Sequence, residues 1–356
     1  MKLQHRAKLS ILLTDIVVWT LTMLFYVLLR FVGLWDVPFI EIEDSFNLAM
    51  IARISTVGGI LLGLIYGVAD IFLDRKWLRK LSFGNGLLVR GVFHLFIILA
   101  MSIVVRIRAF QFLGIEVTLD NLMGSLVGPE LIMLIIYTTL VSFFMNFMRQ
   151  INQKLGPGNL WKLLTGKFHR PKQEQRIFMF LDLRSSTTIA EALGHIKFSE
   201  LLQDCFQDLE VVIPRQAEVY QYVGDEVILT WELPKGLHEG NCIWAFYDFQ
   251  NYLKQRDDYY QQKYGISPQF KAGINLGSVT VAEVGSIKRE FAFHGDTLNT
   301  AARIQEQCNA HGQSLLISES LHHELPELPG LKRKNMGAFD LKGKKQPVNV
   351  YAVETQ

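Results

Sequence analysis

Two aspartates in the second half of the chain each lie at the end of an apolar run. Asp182 ends the apolar run 176–182, and Asp225 occupies a Gly-Asp turn between two further apolar runs. Runs of this kind are typical of β-strands, so each carboxylate is expected at the tip of a strand. Two carboxylates on neighbouring strand ends provide hard oxygen ligands, which suit Mg²⁺ or Mn²⁺ together with substrate phosphates.

The residues that follow Asp182 favour a phosphate in the same place. Residues 185–193 are predicted to form a helix, and its start contains Ser185, Ser186 and Thr187. The first N–H groups of a helix have no partner inside it, and they bind anions readily. We expect this turn to face a phosphate beside the metal ions, which makes the region a candidate centre for phosphoryl transfer.

A second group of polar residues lies at 293–303. Asp296 is predicted to cap a helix over 297–308. Asn299 and Arg303 are four residues apart and therefore share one face of that helix. An amide beside a guanidinium suits the orientation of a ribose and the neutralisation of a transferring phosphoryl group. Taken alone, the pattern favours a surface helix with a solvated arginine.

The elements around these residues alternate as in a soluble α+β domain. The predicted order is strand, two helices, two strands, helix and strand, at 176–182, 185–193, 197–213, 219–223, 226–231, 239–264 and 269–276. A strand at 279–284, the helix at 297–308 and short strands near 314–317, 337–341 and 348–353 follow. The opening order is the split βαβ arrangement of ferredoxin-like α+β folds, which places Asp182 beside the turn that holds Asp225.

The first half of the chain has a different composition. Four apolar segments, at about 9–29, 48–72, 87–105 and 131–147, are each long enough to span a bilayer, which takes roughly 20 residues. The first lacks the small-residue cleavage site of a signal peptide, so a membrane anchor is predicted. We predict an all-α four-helix transmembrane anchor or sensor domain at 1–149, a cytoplasmic linker at 150–175 and a catalytic domain at 176–356. The net charge of +2 gives no support for nucleic-acid binding.

Basic residues are unevenly distributed over the predicted loops. The N-terminus, the second connection and the segment after the fourth span contain Lys2, Arg6, Lys8, Arg75, Lys76, Arg79, Lys80, Arg149, Lys154, Lys162, Lys167 and Arg170. The first connection is acidic and contains Asp36, Glu41, Glu43 and Asp44. The positive-inside rule then predicts a multi-pass protein of the cell (inner) membrane, with both termini and the catalytic domain in the cytoplasm.

The predicted spans contain small and charged residues. Small residues recur at every fourth position of the second span, at Ser55, Gly59, Gly63 and Gly67. This stripe indicates either a dimer seam in the lipid bilayer or tight packing within one bundle. For Asp15, Asp70 and Arg90, and for Arg53 towards an outer end, we expect pairing or snorkelling rather than an ion path. His94 is the only histidine inside a span, which favours a hydrogen-bonded packing residue over a haem ligand.

Taken together, the motifs of the second half resemble the catalytic domain of bacterial-type, membrane-anchored class III adenylyl/guanylyl cyclases. The likeness covers about 176–353. It rests on five segments in the same order: Phe-Leu-Asp-Leu-Arg-Ser-Ser-Thr (180–187), Val-Gly-Asp-Glu (223–226), Lys-Ala-Gly-Ile-Asn-Leu-Gly (271–277), Gly-Asp-Thr-Leu-Asn-Thr-Ala-Ala-Arg (295–303) and Leu-Lys-Gly-Lys (341–344). No single segment would suffice, whereas their combination is highly specific.

The resemblance implies a reaction and a metal site. The ribose 3′-hydroxyl of ATP would attack the α-phosphorus, which gives 3′,5′-cyclic AMP and pyrophosphate. Two Mg²⁺ or Mn²⁺ ions per active site would be held by Asp182, Leu183 and Asp225. Asn299 would orient the ribose, and Arg303 would stabilise the pentavalent transition state.

The resemblance also implies phosphate contacts and a homodimer. Ser185, Ser186 and Thr187 would face the phosphates, and either Lys342 or Lys344 would contact the terminal ones. In this family the site lies across a dimer interface, with the aspartates from one chain and the Asn/Arg pair from the other. Because this chain has both sets, a homodimer would form two equivalent sites.

Two positions depart from the family pattern at the base. Gln221 stands where the family has its base-reading lysine, and Ala292 stands where it has Asp or Thr. Glutamine both donates and accepts hydrogen bonds, and alanine offers no side-chain bond, so neither selects a base as a fixed charge would. The guanine pair, Glu and Cys, is absent as well. ATP is therefore expected on family frequency alone, with GTP or another nucleoside triphosphate as the alternative.

Three other functions compete with this interpretation. A diguanylate cyclase would explain Val-Gly-Asp-Glu-Val, but it offers no account of the segment 295–303. A catalytically inactive cyclase domain would serve as a signalling module, but such domains usually lose a metal aspartate or the Asn/Arg pair, and all four residues are present. A transporter with a regulatory soluble half is disfavoured because the four short spans contain no broken polar helices.

Overall fold

The structure, a computed structural model, describes residues 2–34, 48–73, 81–114, 116–126, 128–156, 158–344 and 346–355. It comprises two compact units, Met1–Leu155 and Gly156–Gln356. The charged residues at 36–44 and 75–80, on which the predicted orientation partly rests, lie outside the described ranges.

The first unit is helical. Its helices are α1 (Lys2–Leu34), α2 (Leu48–Leu73), α3 (Phe83–Leu113), α4 (Leu119–Leu126) and α5 (Pro129–Leu155). By length and composition, four of them contain a window able to cross a membrane: Ile11–Leu29, Ser55–Leu73, Phe83–Arg108 and Leu131–Leu155. These windows confirm the four predicted apolar spans, whereas the short helix α4 was not predicted.

The glycines of α2 lie against α1 of the same chain. A side chain at Gly59 would collide with the backbone of Thr20, and one at Gly63 would collide with the backbone of Ile16. Small residues allow this close approach of two helices. Of the two interpretations of the stripe, the structure therefore supports tight packing within one bundle.

The charged side chains of the spans pair with one another in the interior of the bundle. Arg149 of α5 pairs with both Asp15 of α1 and Asp70 of α2. Asp70 also lies 3.7 Å from Arg90 and 3.3 Å from His94 Nε2. The His94 ring is buried, and its Nδ1 is hydrogen-bonded to the hydroxyl of Ser142. The expected pairing is confirmed for Asp15, Asp70 and Arg90, and two buried carboxylates face two arginines.

The second unit has an α+β architecture. Its helices are α6 (Asn159–Leu164), α7 (Ser186–Asp208), α8 (Leu233–Leu237), α9 (Asn241–Gln255), α10 (Asp257–Tyr264), α11 (Asp296–Ala310) and α12 (Glu319–Glu324). Its strands are β1 (Lys172–Leu183), β2 (Glu218–Val223), β3 (Glu226–Glu232), β4 (Phe270–Val284), β5 (Glu290–His294), β6 (Leu315–Ser318), β7 (Leu331–Phe339) and β8 (Val348–Thr355). Two 3₁₀ turns, Leu209–Arg215 and His238–Gly240, follow α7 and α8.

The strands form one sheet in the order β2-β3-β1-β4-β6-β8-β7, with β5 paired to β4. The first four strands have the ferredoxin-like order, so the predicted fold class is confirmed. Alternate residues of β1 point to opposite faces. Ile177, Met179 and Leu181 face a core shared with α7, α9 and α10, whereas Phe178 and Phe180 face a smaller cluster that includes Ala301 of α11.

Helix α11 lies unusually close to β4, and two glycines of β4 explain this. A side chain at Gly273 would overlap the backbone of Ala301 and Gln305, and one at Gly277 would overlap the side chain of Thr297. Glycine inside a strand often marks such a close approach of another element. The strand therefore continues through Gly277, where the sequence suggested a break between strands 269–276 and 279–284.

Other predicted boundaries differ from the structure. β1 begins at Lys172, four residues before the predicted start. The predicted helix 239–264 is interrupted at Arg256, which has non-helical dihedral angles between α9 and α10 and pairs with Asp208. Gly194 interrupts α7 with non-helical dihedral angles, close to the predicted gap between two helices. The sequence did not reveal β5 or α12.

Candidate active site

Asp182 lies near the end of β1 between charged neighbours on both adjacent strands. The register pairs Asp182 with Glu226 of β3 on one side and with Lys271 of β4 on the other. Residues directly opposite in antiparallel strands point to the same face, so all three side chains share the face that α11 covers. Lys271 Nζ lies 3.2 Å from Asp182 Oδ2.

Gln305 of α11 binds the same carboxylate oxygen. Its Nε2 donates a hydrogen bond of 2.8 Å to Asp182 Oδ2. The side chains of Gln305 and Lys271 are buried, whereas that of Asp182 is 20% exposed. Two buried donors on a single oxygen hold the carboxylate in one orientation.

Asp225 lies in the tight turn between β2 and β3. Val223 pairs with Glu226 across the hairpin, which leaves Gly224 and Asp225 as its loop. Gly224 has φ 62°, a conformation that glycine adopts without strain. Since Glu226 is opposite Asp182, this turn lies at the same end of β1 as Asp182, as predicted.

The three acidic groups influence one another. Burial raises the pKa of Asp182, and repulsion from Asp225 adds to this rise, whereas the hydrogen bond from Lys271 opposes it. Burial, together with the charges of Asp182 and Asp225, raises the pKa of Glu226 to about 7. In both groups burial is the largest cause, and the neighbouring carboxylates add to the rise.

The donor set at this edge suits a hard divalent cation that also binds substrate. In the described part of the chain, no three His, Cys, Asp or Glu side chains converge as metal ligands. Mg²⁺ is commonly bound through one or two carboxylates plus substrate phosphates and water, and Asp182 and Asp225 match that pattern. The buried side chain of Leu183 belongs to the core on the other face, so only its backbone oxygen could join them.

The turn after β1 contains a residue with positive φ and is not capped by a side chain. Ser185 has φ 56°, which is rare for a non-glycine residue, and its hydroxyl makes no capping bond to α7. α7 starts at Ser186, and Thr187 is exposed in its first turn. The first N–H groups of this helix are thus left for a ligand or water.

Helix α11 carries Asn299 and Arg303. Asn299 is exposed and Arg303 is half-buried. The Arg303 guanidinium packs against Gly343, whose added Cβ would lie 3.2 Å from Nη2. The predicted cap is wrong, because Gly295 is the N-cap and Asp296 already belongs to the helix. Its carboxylate pairs with Lys344 instead.

The two lysines of the segment 341–344 differ in their surroundings. Lys344 is occupied by its ion pair with Asp296. Lys342 is exposed, and no ion pair involves it among the described residues. Lys342 therefore has its charge available for a ligand, whereas Lys344 fixes the loop to the start of α11.

The base-reading candidates lie on two strands that are not adjacent in the sheet. Gln221 is exposed on β2, and Ala292 is half-buried on β5 opposite Ala282 of β4. Their neighbours Tyr220 and Phe293 do meet, with ring centroids 4.9 Å apart. Thus the two strands approach one another over the α11 face of the sheet.

The second unit matches a known protein family. The family described as "Adenylate and Guanylate cyclase catalytic domain" matches residues 169–355, more than half of the chain. The chain belongs to this cyclase family. The match covers all eight strands of the second unit, from β1, which begins at Lys172, to β8, which ends at Thr355.

Curated relatives and solved structures of cyclases extend the comparison. Adenylate cyclase 2 of Rhizobium meliloti (strain 1021) is 29% identical over 220 residues, which are 62% of this chain and 61% of the relative. Adenylate cyclase 1 of the same organism is 27% identical over 187 residues, 49% of this chain and 27% of the relative. The chain thus spans less than two thirds of the length of either relative. A bacterial light-regulated adenylyl cyclase shares the fold, with a TM-score of 0.53, 19% identity and coverage of 64% of this chain and 67% of that one.

Two residues of this cyclase domain became candidates only with the structure. Lys271 was visible as part of a cyclase motif but without a role, and Gln305 was not singled out. Gln305 is separated from Asp182 by 123 positions, and only the packing of α11 on β4 brings them together. The register of β1 and β4 likewise decides that Lys271 faces Asp182.

Proposed function

We propose that this chain is a membrane-bound class III nucleotide cyclase that converts ATP to 3′,5′-cyclic AMP and pyrophosphate. The observation that carries the proposal is the placement of Asp182 and the Asp225 turn at one edge of the cyclase sheet, beside a helix that presents Asn299 and Arg303. The curated relatives named as adenylate cyclases support adenine as the base.

Asp182 and Asp225 are proposed to hold the two divalent cations, with the backbone oxygen of Leu183. Bound Mg²⁺ or Mn²⁺ would lower the pKa of the ribose 3′-hydroxyl and neutralise charge on the triphosphate. The Ser185–Thr187 turn offers N–H groups and hydroxyls to phosphate oxygens on the same side of β1. The protein's own contribution is thus the positioning of anionic groups and cations before the reaction starts.

Asn299 and Arg303 are proposed to serve the active site of a second copy. They lie on a different face of α11 from Gln305, which binds Asp182 of the same chain. In the proposed homodimer Asn299 orients the ribose, and Arg303 stabilises charge that develops on the phosphoryl group in the transition state. Two chains then form two equivalent sites.

Lys342 is the lysine proposed to contact the terminal phosphates. It is exposed and lies one residue from Gly343, against which Arg303 packs. A free ammonium group next to the arginine can neutralise negative charge on the departing pyrophosphate. Lys344 keeps this loop in place through Asp296.

The base is proposed to bind near Gln221 and Ala292. The relatives favour ATP, and because neither residue carries a charge we expect measurable activity towards GTP as well. Four apolar helices support a multi-pass anchor in the cell membrane, and the basic flanks support a cytoplasmic catalytic domain. The predicted domain limits, 1–149, 150–175 and 176–356, remain part of this proposal.

The proposal is tested by turnover of the purified full-length chain with ATP, GTP, CTP and UTP in the presence of Mg²⁺ or Mn²⁺. Cyclic AMP should be the main product. Asp182→Ala and Asp225→Ala should each reduce turnover by at least about 100-fold, whereas Asp258→Ala, an exposed acid on α10, should have no effect. A folded wild-type protein that turns over none of the four nucleotides would instead indicate an inactive signalling module.

A further inference from the structure

The buried ammonium group of Lys271 has no part in the reaction outlined so far. Its side chain is 9% exposed, and its Nζ lies 3.2 Å from Asp182 Oδ2. A lysine is rarely buried unless it is paired, and burial of a charge is costly. The position of Lys271 opposite Asp182 therefore calls for a role at this edge of the sheet.

The carboxylates around Lys271 outnumber it. Asp182 and Glu226 are directly opposite one another on β1 and β3, and Asp225 is the residue before Glu226. Lys271 completes this row from the other side of β1. Three acidic side chains and one buried cation thus share one edge of the sheet. The local charge is negative enough to attract a divalent cation but is partly offset by the lysine.

We propose that Lys271 is a positioning residue that sets the affinity of the Asp182–Asp225 pair for divalent cations. The inference rests on the proposed function. The ammonium group offsets part of the negative charge, and together with Gln305 it occupies Oδ2 of Asp182, which would leave Oδ1 for a cation. Lys271 limits how tightly the site binds a cation, and Gln305 provides orientation without charge.

The two effects are separable because the two donors differ in charge. Replacing Lys271 by methionine removes a positive charge and one of the two donors to Asp182 Oδ2, but the side chain keeps a similar length and Gln305 still holds that oxygen. Replacing Gln305 by leucine removes a hydrogen bond but changes no charge. Charge removal should strengthen cation binding, whereas loss of orientation should weaken it, so the two substitutions are expected to act in opposite directions.

The test measures Mn²⁺ binding to the purified full-length chain without nucleotide, followed by electron paramagnetic resonance of the free ion. Lys271→Met should lower the dissociation constant of Mn²⁺ by roughly tenfold. Gln305→Leu should raise it by roughly fivefold. Lys271→Arg keeps the charge and should bind Mn²⁺ nearly as the wild type does. Near-ultraviolet circular dichroism verifies that each variant is folded.

Two controls separate failure of this inference from failure of the proposed function. The wild type should bind Mn²⁺, and Asp182→Asn should weaken that binding strongly. If the wild type binds no Mn²⁺, or if Asp182→Asn binds it equally well, the proposed metal site is wrong and the role of Lys271 is wrong with it. If both controls behave as expected but Lys271→Met binds Mn²⁺ no more tightly than the wild type, only the role of Lys271 is overturned.

Discussion

Arg303 and Gln305 are two residues apart on α11 and face different parts of the molecule. The Gln305 amide reaches Asp182 on β1, whereas the Arg303 guanidinium lies against Gly343. Two positions correspond to about 200° around a helix, so the two side chains point to nearly opposite sides. Arg303 therefore points away from Asp182 of its own chain, to which α11 is hydrogen-bonded through Gln305. This orientation supports an active site shared between two copies.

A mixture of two inactive variants tests the shared site. Asp182→Ala and Arg303→Ala should each lose at least about 100-fold in turnover, because each removes one half of every site. Co-expressed, they should recover up to about a quarter of wild-type activity, since half of the dimers are mixed and each has one intact site of two. Absence of recovery in a sample with demonstrated mixed dimers would contradict the model.

The segment 341–344 gives a second prediction. Lys342→Ala should raise the KM for ATP and lower kcat, because it removes the available charge beside Arg303. Lys344→Ala breaks the ion pair with Asp296, so it should change activity less while loosening the loop. Kinetics of both variants over a range of ATP concentrations distinguish them. A larger loss for Lys344→Ala would assign the phosphate contact to that residue.

The base pocket gives a third prediction. Gln221→Lys combined with Ala292→Asp introduces a charged pair at the two positions where this chain departs from the cyclase pattern. Buried polar groups discriminate between bases more strongly than an open pocket, so the ratio of kcat/KM for ATP to that for GTP should rise at least about tenfold. The single variant Gln221→Lys is the matched control, because its lysine lacks a partner. Complete exclusion of GTP by the wild type would show that other residues select the base.

A fourth prediction concerns stability and follows from Asp204 of α7. Its Oδ2 accepts hydrogen bonds from Tyr259, Lys263 and Tyr264 of α10, at 2.6–2.7 Å. Burial alone would raise the pKa of Asp204, but these donors outweigh it and the pKa lies below its ordinary value. The ionised carboxylate therefore stabilises the folded state above the pKa of the unfolded chain, and this contribution is lost as the pH falls through the lower folded pKa.

Asp204→Asn should lower the free energy of unfolding by about 1–3 kcal/mol at pH 7. The difference from the wild type should stay constant down to about pH 5 and shrink below about pH 4. Thermal unfolding of the full chain between pH 3 and pH 7 measures this, with Asp258→Asn on the exposed side of α10 as the control. A difference that is as large at pH 3 as at pH 7 would contradict an ionised Asp204.

Much of the fold was predictable because it depends on local patterns. The four apolar spans and the order of the first elements of the second unit follow from alternation, from apolar runs and from Gly-Asp in a hairpin turn. The strand β4 was predicted as two because Gly277 is also typical of a break. The structure shows another reason for the glycine at this position. A Cβ there would collide with the side chain of Thr297, which belongs to a helix later in the chain.

The site was predictable only in part, for a related reason. A carboxylate at the end of an apolar run can be recognised from neighbouring residues alone, as for Asp182. The partners Lys271 and Gln305 are defined by strand register and by helix packing, which depend on contacts between distant parts of the chain. The pairing of Asp296 with Lys344, in place of the expected helix cap, has the same origin.

The packing of α2 on α1 has a consequence for assembly. Gly59 and Gly63 are covered by α1 of the same chain, so this face is not free to join two chains. The outward faces of the two helices carry large apolar side chains such as Leu21, Phe25, Leu61 and Val68. Lipid tails solvate such residues as well as another protein does, so contacts between them are weak. Pairing of two copies in the bilayer would then depend on their surface density in the membrane. The total activity of the proposed enzyme would therefore rise more steeply than its expression level.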